Sequence, residues 1–340
     1  MKNKGLMATV ALIFIVLIGV FAYQAGKSSN QTQSDKKVVE EVKTVGILQF
    51  VSHPALDAIR EGIEDALKEA GYEEGKNLKI EFQNGQADQS KLATMSEQLV
   101  NKDSDILVGI ATPAAQALAN TTKELPIVLG AVTDPVGANL VADVNEPGGN
   151  ITGVSDKAPA DEQIKLGTEL LPDAKTVGIL YSSTEDNSKY QVEEATKAAE
   201  KLGLEVKTYP IPSTNEITQT VQVMSDLVDF IYIPLDNTIA NAMPTVVGEA
   251  NKKKVPIITS VDTMVEQGGL GTIGIDQYTI GKETGKMVAD ILNGANPAAT
   301  PIYTFKEGEI ILNKKQADFL GIDIPEEMLK QAKIVGGDAE

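Results

Sequence analysis

From Val42 onward, short apolar runs alternate with stretches in which apolar residues recur every three or four positions. The first pattern suits a strand buried on both faces and the second a helix with one buried stripe, so the order predicts an α/β fold on parallel sheets. Val45–Phe50 reads as a strand. Pro54 opens a helix whose Leu56, Ile59, Ile63, Ala66, Leu67 and Ala70 form one stripe, and Gly71 ends it. A strand over Leu78–Phe82, a helix around Leu92, Met95 and Leu99, a strand over Asp105–Ile110, a helix from Pro113 and a strand over Pro126–Gly130 complete one wound unit.

The order then repeats. Val177-Gly178-Ile179-Leu180 echoes Val45-Gly46-Ile47-Leu48, Phe230–Ile233 takes the place of Ile106–Gly109, and Val255–Ile258 that of Leu125–Val128. The offsets of 132, 124 and 130 residues are nearly constant and far longer than a solenoid repeat, although any α/β chain offers apolar strands at such spacings. The expected fold class is α/β, with two similar doubly wound lobes on parallel-sheet cores joined by a multi-strand hinge. Lobe 1 is expected over 44–153 plus about 270–305, lobe 2 over 154–269, and a C-terminal tail over 306–340 packed near the hinge. The hinge strands are expected near Gly153-Val154 and Gly268–Gly274, where glycine tolerates the dihedral change.

The N-terminus follows another pattern. Lys2 and Lys4 precede an uncharged stretch from Gly5 to Gly26 with an apolar run from Val10 to Phe21, the arrangement of an export signal. Its 22 uncharged residues also suffice to span a bilayer. Val20 and Ala22 offer a cleavage site, so secretion after cleavage and retention as a membrane anchor both stay open. Residues 1–26 are read as signal or anchor and 27–43 as a polar linker, with the body outside the cytoplasm.

Composition narrows the chemistry. The 340 residues carry a formal charge of −18, with 25 basic against 47 acidic residues over 38–340, and Arg60 is the single arginine. Nucleic acid is excluded as a partner, because phosphate binding needs clustered Lys and Arg. With no Cys and one His there is no disulfide, no lipid-bearing cysteine and no zinc site, and no Asp-x-Asp-x-Asp-Gly loop appears. A Ser-His-Asp hydrolase would need His53, yet no Gly-x-Ser-x-Gly elbow exists and His53 before Pro54 reads as a helix-start residue. Gly269-Leu270-Gly271-Thr272-Ile273-Gly274 matches a dinucleotide fingerprint but comes too late and opens no first helix, so it reads as a glycine-loosened strand. Binding without turnover, cofactor or metal is the expectation.

Ligands of parallel sheets bind beyond the carboxyl ends of strands. The loops there are Gln49–His53, Ala111–Pro113 and Ala131–Pro135 in the first lobe, and Tyr181–Asn187, Leu235–Thr238 and Ser260–Thr263 in the second, without one Lys or Arg. Thr112 before Pro113 reads as an N-cap, whose hydroxyl and the N–H groups of Ala114 and Ala115 suit a carboxylate. Asp236, at the end of a second-lobe strand, suits an ammonium, or else caps the helix near Thr238. Phe50 and Tyr181 stand at equivalent strand ends and either sandwich a flat group or pack at the rim. Ser182, Ser183, Asn187 and Ser188 offer neutral hydrogen bonds. Asp134 and Asp262 contact ligand or fix their turns, and Gln49, Thr133, Asn237 and Ser260 complete the candidate set.

These residues meet a family. The chain resembles the extracytoplasmic substrate-binding proteins of ABC importers, of the two-lobed periplasmic-binding-protein type I, and within them the tryptophan and tyrosine binders of Gram-positive bacteria. The likeness is carried by His53-Pro54-Ala55-Leu56, Ala111-Thr112-Pro113-Ala114-Ala115-Gln116-Ala117, Val132-Thr133-Asp134-Pro135-Val136, Gly148-Gly149-Asn150-Ile151-Thr152-Gly153-Val154 and Pro234-Leu235-Asp236-Asn237-Thr238. It continues in Ile311-Leu312-Asn313 and Leu320-Gly321-Ile322 and runs from Val45 to about Val335. It implies capture of an amino acid by hinge closure and delivery to ABC permease subunits. It also implies that Thr112 holds the carboxylate and Asp236 the amine. A sugar or nucleoside binder and a membrane-tethered sensor are the alternatives. The missing cysteine departs from lipid-anchored relatives, and Pro244 interrupts an expected helix.

Overall fold

Thirteen strands among the described residues sort into two sheets. The structure, a computed structural model, describes residues 42–305 and 308–336; the expected signal or anchor segment lies outside them. Among the described residues, no helix is long and apolar enough to cross a membrane. In the first sheet β1 (Lys43–Gln49), β2 (Leu78–Asn84), β3 (Ile106–Ile110), β4 (Ile127–Gly130), β5 (Ile151–Ser155) and β11 (Tyr303–Thr304) lie in the order β11-β5-β4-β3-β1-β2. The second holds β6 (Thr176–Ser182), β7 (Glu205–Ile211), β8 (Phe230–Ile233), β9 (Ile257–Thr259), β10 (Gly271–Gly274), β12 (Glu309–Asn313) and β13 (Lys333–Val335), ordered β13-β12-β10-β9-β8-β6-β7.

The five main strands of each sheet run in the same order, β5-β4-β3-β1-β2 against β10-β9-β8-β6-β7, so the offset repeat is a repeat of topology. All of these pairs are parallel; only β10 with β12 is antiparallel. β3, β4, β8 and β9 are buried throughout, as strands covered by helices on both faces must be.

The helix Pro54–Glu69 buries Leu56, Ile59, Ile63, Ala66 and Leu67, the stripe its period predicts, while Ala70 becomes the C-cap. It crosses the helix Gln277–Leu292 at glycines. A Cβ on Gly62 would stand 2.3 Å from the Tyr278 carbonyl oxygen, and one on Gly281 2.1 Å from that of Ile59. Backbone therefore meets backbone, which joins the late helix to the first lobe.

The chain passes between lobes at 156–159 and 275–276, later than the glycines suggested, and again between β11 and β12, which belong to different sheets. Gly153 lies inside β5, where a Cβ would stand 2.2 Å from the Leu129 nitrogen, and Gly271–Gly274 is β10 of the second sheet. Residues 270–274 thus pair in the second lobe, and the tail strands β12 and β13 extend that same sheet. Apolar period marks a strand but not the sheet it joins. The three passages lie side by side, with Lys157, Pro159, Ile275, Phe305 and Gly308 lining one cavity of about 440 Å³. Pro244 does not kink a helix; the segment splits into Asn237–Asn241 and Met243–Lys252, and the proline sits in the first turn of the latter, where its missing N–H is not needed.

Candidate functional site

The carboxyl-end loops of the two lobes touch. His53 Nε2 lies 3.2 Å from Asn237 Oδ1, Gln89 Nε2 donates to the Thr184 carbonyl at 2.8 Å, and Gln116 Nε2 donates to Asp186 at 3.3 Å. The cleft is shut, with a cavity of about 260 Å³ at its rim lined by Thr112, Asp134, Asp186, Asn187 and Tyr190.

On the first-lobe side, β3 runs directly into the helix Thr112–Thr121. Thr112 is the first helical residue and Ala111 the N-cap, one position earlier than the sequence suggested, so the Ala115 N–H is already bonded to the Ala111 carbonyl oxygen at 3.1 Å. The Ala114 N–H and the buried Thr112 hydroxyl, which has no partner, remain for a ligand. The turn is tight enough to hold Ala111 at φ 76° and ψ 154°, a conformation that glycine otherwise fills, and Ala131 at the end of β4 is at φ 62°. Strain of this kind persists only where surrounding packing imposes it.

On the second-lobe side, Asp236 is a cap. Its carboxylate accepts from Ile239 N at 2.8 Å and from Ser182 N at 2.5 Å, which ties the β8 loop to the β6 loop. Burial, and then the neighbouring Glu185, push its pKa up to about 7. Glu185, absent from the sequence-derived set, is fully buried and accepts from Asn237 N and Nδ2, from Thr238 N and Oγ1, and from Asn187 Nδ2. Asn187 Nδ2 and Ser188 Oγ both donate to the Leu235 carbonyl, at 2.7 and 3.2 Å. A Glu in a polar turn carries no sequence signal, since most of its partners, on Asn237 and Thr238, lie about fifty residues away.

The other candidates divide. Phe50 belongs to the first-lobe core and Tyr181 packs on a second-lobe cluster, and no ring contact joins them among the described residues. Ser183 donates to the Ile211 carbonyl, Asp134 fixes its turn through Gly137 N at 2.9 Å, and Asp262 accepts from Thr263 N. Thr133 donates to Asp156 at the first passage, where burial lifts the carboxyl to about 6. Ser260 is buried with an unpartnered hydroxyl.

Five of the buried polar atoms without partners sit in the carboxyl-end loops: Gln49 Oε1, His53 Nδ1, Thr112 Oγ1, Asn187 Oδ1 and Ser260 Oγ. Buried polar atoms are seldom left unpaired, so their gathering at one cleft marks where a polar ligand completes them. His53 is the N-cap of the helix Pro54–Glu69, the helix-start residue its sequence position suggested; it also bridges the lobes, and burial pushes its pKa down to about 4. Among the described residues no group of carboxylates or imidazoles could hold a metal ion.

Comparison with known proteins agrees. The model of the family described as ABC transporter substrate binding protein matches residues 44–335. A tyrosine-binding protein of Clostridioides difficile is 38% identical over 314 residues, covering 92% of this chain and 91% of the relative. The crystal structure of an ABC domain from Streptococcus pneumoniae in complex with L-Trp is 55% identical, with a TM-score of 0.85 over 87% of this chain and all of that one. The ligand-free, open structure of a Clostridium difficile substrate-binding protein with adhesive properties is 37% identical over the same shares, with a TM-score of 0.67. The two-lobed fold is that of the type I periplasmic binding proteins, and proteins of this kind work outside the cytoplasm. With the family model spanning both lobes and the cleft between them, the chain belongs to the ABC transporter substrate-binding proteins.

Proposed function

We propose that this substrate-binding protein captures an aromatic amino acid between its lobes and presents it to the permease of an ABC importer, held at the membrane by the N-terminal segment or released after its cleavage. The observation that carries the reading is the set of buried, unpartnered polar atoms in the carboxyl-end loops; those loops contain no Lys or Arg, and Lys189 lines the cavity at the rim. A zwitterion suits them: its carboxylate goes to the Thr112 hydroxyl and the adjoining helix N-terminus, and its ammonium to acceptors among the remaining atoms, such as Asn187 Oδ1 beside the buried Glu185. The relatives bound to or named for tryptophan and tyrosine support an aromatic side chain. The TM-score is higher to the tryptophan complex than to the open relative, in keeping with the shut cleft and a ligand that bridges both lobes when they close. The role is binding, without turnover.

Calorimetry of the purified chain against L-Trp, L-Tyr, a nucleoside and a hexose tests the reading. An affinity near micromolar, about 8 kcal/mol, is expected for an aromatic amino acid. Thr112→Val, which keeps the shape and removes the hydroxyl, weakens it by about tenfold or more. Tighter binding of the nucleoside or hexose, or an unchanged Kd in Thr112→Val, rejects the proposed cleft chemistry.

A further inference from the structure

We infer that the ligand's ammonium is recognised by three neutral acceptors, Gln49 Oε1, His53 Nδ1 and Asn187 Oδ1, each backed by a buried or half-buried carboxylate, rather than by a direct ion pair with Asp236. The inference rests on the amino-acid reading above and deepens it.

The orientation of each acceptor is dictated by what its other end touches. Gln49 Nε2 donates to the Val51 carbonyl at 2.8 Å and to Asp57 Oδ1 at 2.7 Å. Both partners only accept, so the NH₂ must face them and Oε1 must face away, where it is buried and unpartnered. Asn187 Nδ2 donates to the Leu235 carbonyl at 2.7 Å, with Glu185 Oε2 at 3.4 Å, which likewise turns Oδ1 outward without a partner. Asn237 Nδ2 donates to Glu185 at 2.6 Å, so its Oδ1 is the atom facing His53 Nε2. An acceptor opposite Nε2 requires the proton there, and leaves Nδ1 as a bare lone pair, buried and unpartnered. Burial holds the ring neutral.

Behind each acceptor stands an anion: Asp57 is one hydrogen bond from Gln49, Glu185 one from Asn187, and Glu185 two from His53, through Asn237. Chains of hydrogen bonds polarise one another in a low-dielectric interior, so each neutral acceptor is more negative than an isolated amide or imidazole. A primary ammonium has three N–H donors, matching three acceptors in number. Asp236 cannot serve as readily, because its oxygens already hold the Ile239 and Ser182 N–H groups. Gln49 and His53 belong to the first lobe and Asn187 to the second, so the triad is complete only when the cleft is shut.

The test compares L-Trp with indole-3-propionate, which lacks only the amine, on the untagged full chain. Wild-type protein should prefer L-Trp strongly. In Gln49→Met and in Asn187→Leu, one in each lobe, that preference should narrow by about tenfold while the Kd for indole-3-propionate moves little. An unchanged preference, or equal loss of both ligands, overturns the triad while leaving the amino-acid reading standing; wild-type protein that binds neither ligand overturns both. A measurement that needs no variant uses the fact that His53 is the only histidine. Nitrogen NMR of its ring should show the proton on Nε2, and L-Trp should shift Nδ1 whereas indole-3-propionate should not. A proton on Nδ1, or no shift with L-Trp, also overturns the assignment.

Discussion

His53 connects chemistry to lobe closure through one side chain. In the shut cleft burial lowers its pKa to about 4, whereas in an open, solvated loop it would return toward its ordinary 6.5. Asp57 on its own helix and Asn237 across the cleft pull the other way, and desolvation outweighs both. The open form therefore binds the proton more tightly, and acid favours opening. Affinity for L-Trp should be full above pH 6.5 and fall as pH drops from there toward 4, by up to about tenfold per unit. Calorimetry at pH 8, 6 and 5 checks this, and His53→Gln should flatten the profile. Thr112 and Asn187 were legible in the sequence as polar residues beyond strand ends, because topology alone puts them there. It could not give Glu185 its weight, since a buried carboxylate is defined by donors such as Thr238 that only folding brings near.

At the scale of elements, strands β3 and β8 were legible to within a residue because both faces are buried and every side chain must be apolar. The start of the helix after β3 was displaced by one, because nothing in an alanine announces the left-handed backbone that Ala111 adopts. The crossing of Pro54–Glu69 with Gln277–Leu292 was equally hidden: glycines more than two hundred positions apart reveal their meaning only when the backbones touch. Gly281→Val would drive two methyl groups toward the Ile59 carbonyl and should destabilise the first lobe by about 3 kcal/mol. Urea denaturation measures the loss; a midpoint equal to wild type would show that the helices can part at little cost.

For the whole molecule, the useful property is that the lobes meet through a few polar side chains, among them Gln89 with Thr184 and Gln116 with Asp186. These long side chains hold the lobes together only over hydrogen-bond distances, so opening breaks them without exposing a core. Because the chain has no cysteine, Gln89→Cys with Thr184→Cys provides a unique pair of thiols across the cleft. A short bismaleimide should join them faster in the presence of L-Trp than in its absence, as expected if ligand shifts the population toward the shut form. Equal rates under both conditions would mean that closure is independent of ligand.

The sequence alone determined the α/β class and the duplicated winding, because period is a local property that survives any arrangement of the elements. Tertiary structure alone decided that the passages between lobes lie at 156–159, at 275–276 and between β11 and β12, that the tail completes the second sheet, and that Asp236 caps a helix while Gln49, His53 and Asn187 keep free acceptors. The reason is that a polar atom is available to a ligand only if no neighbour has taken it, and neighbours distant in the chain are assigned by folding.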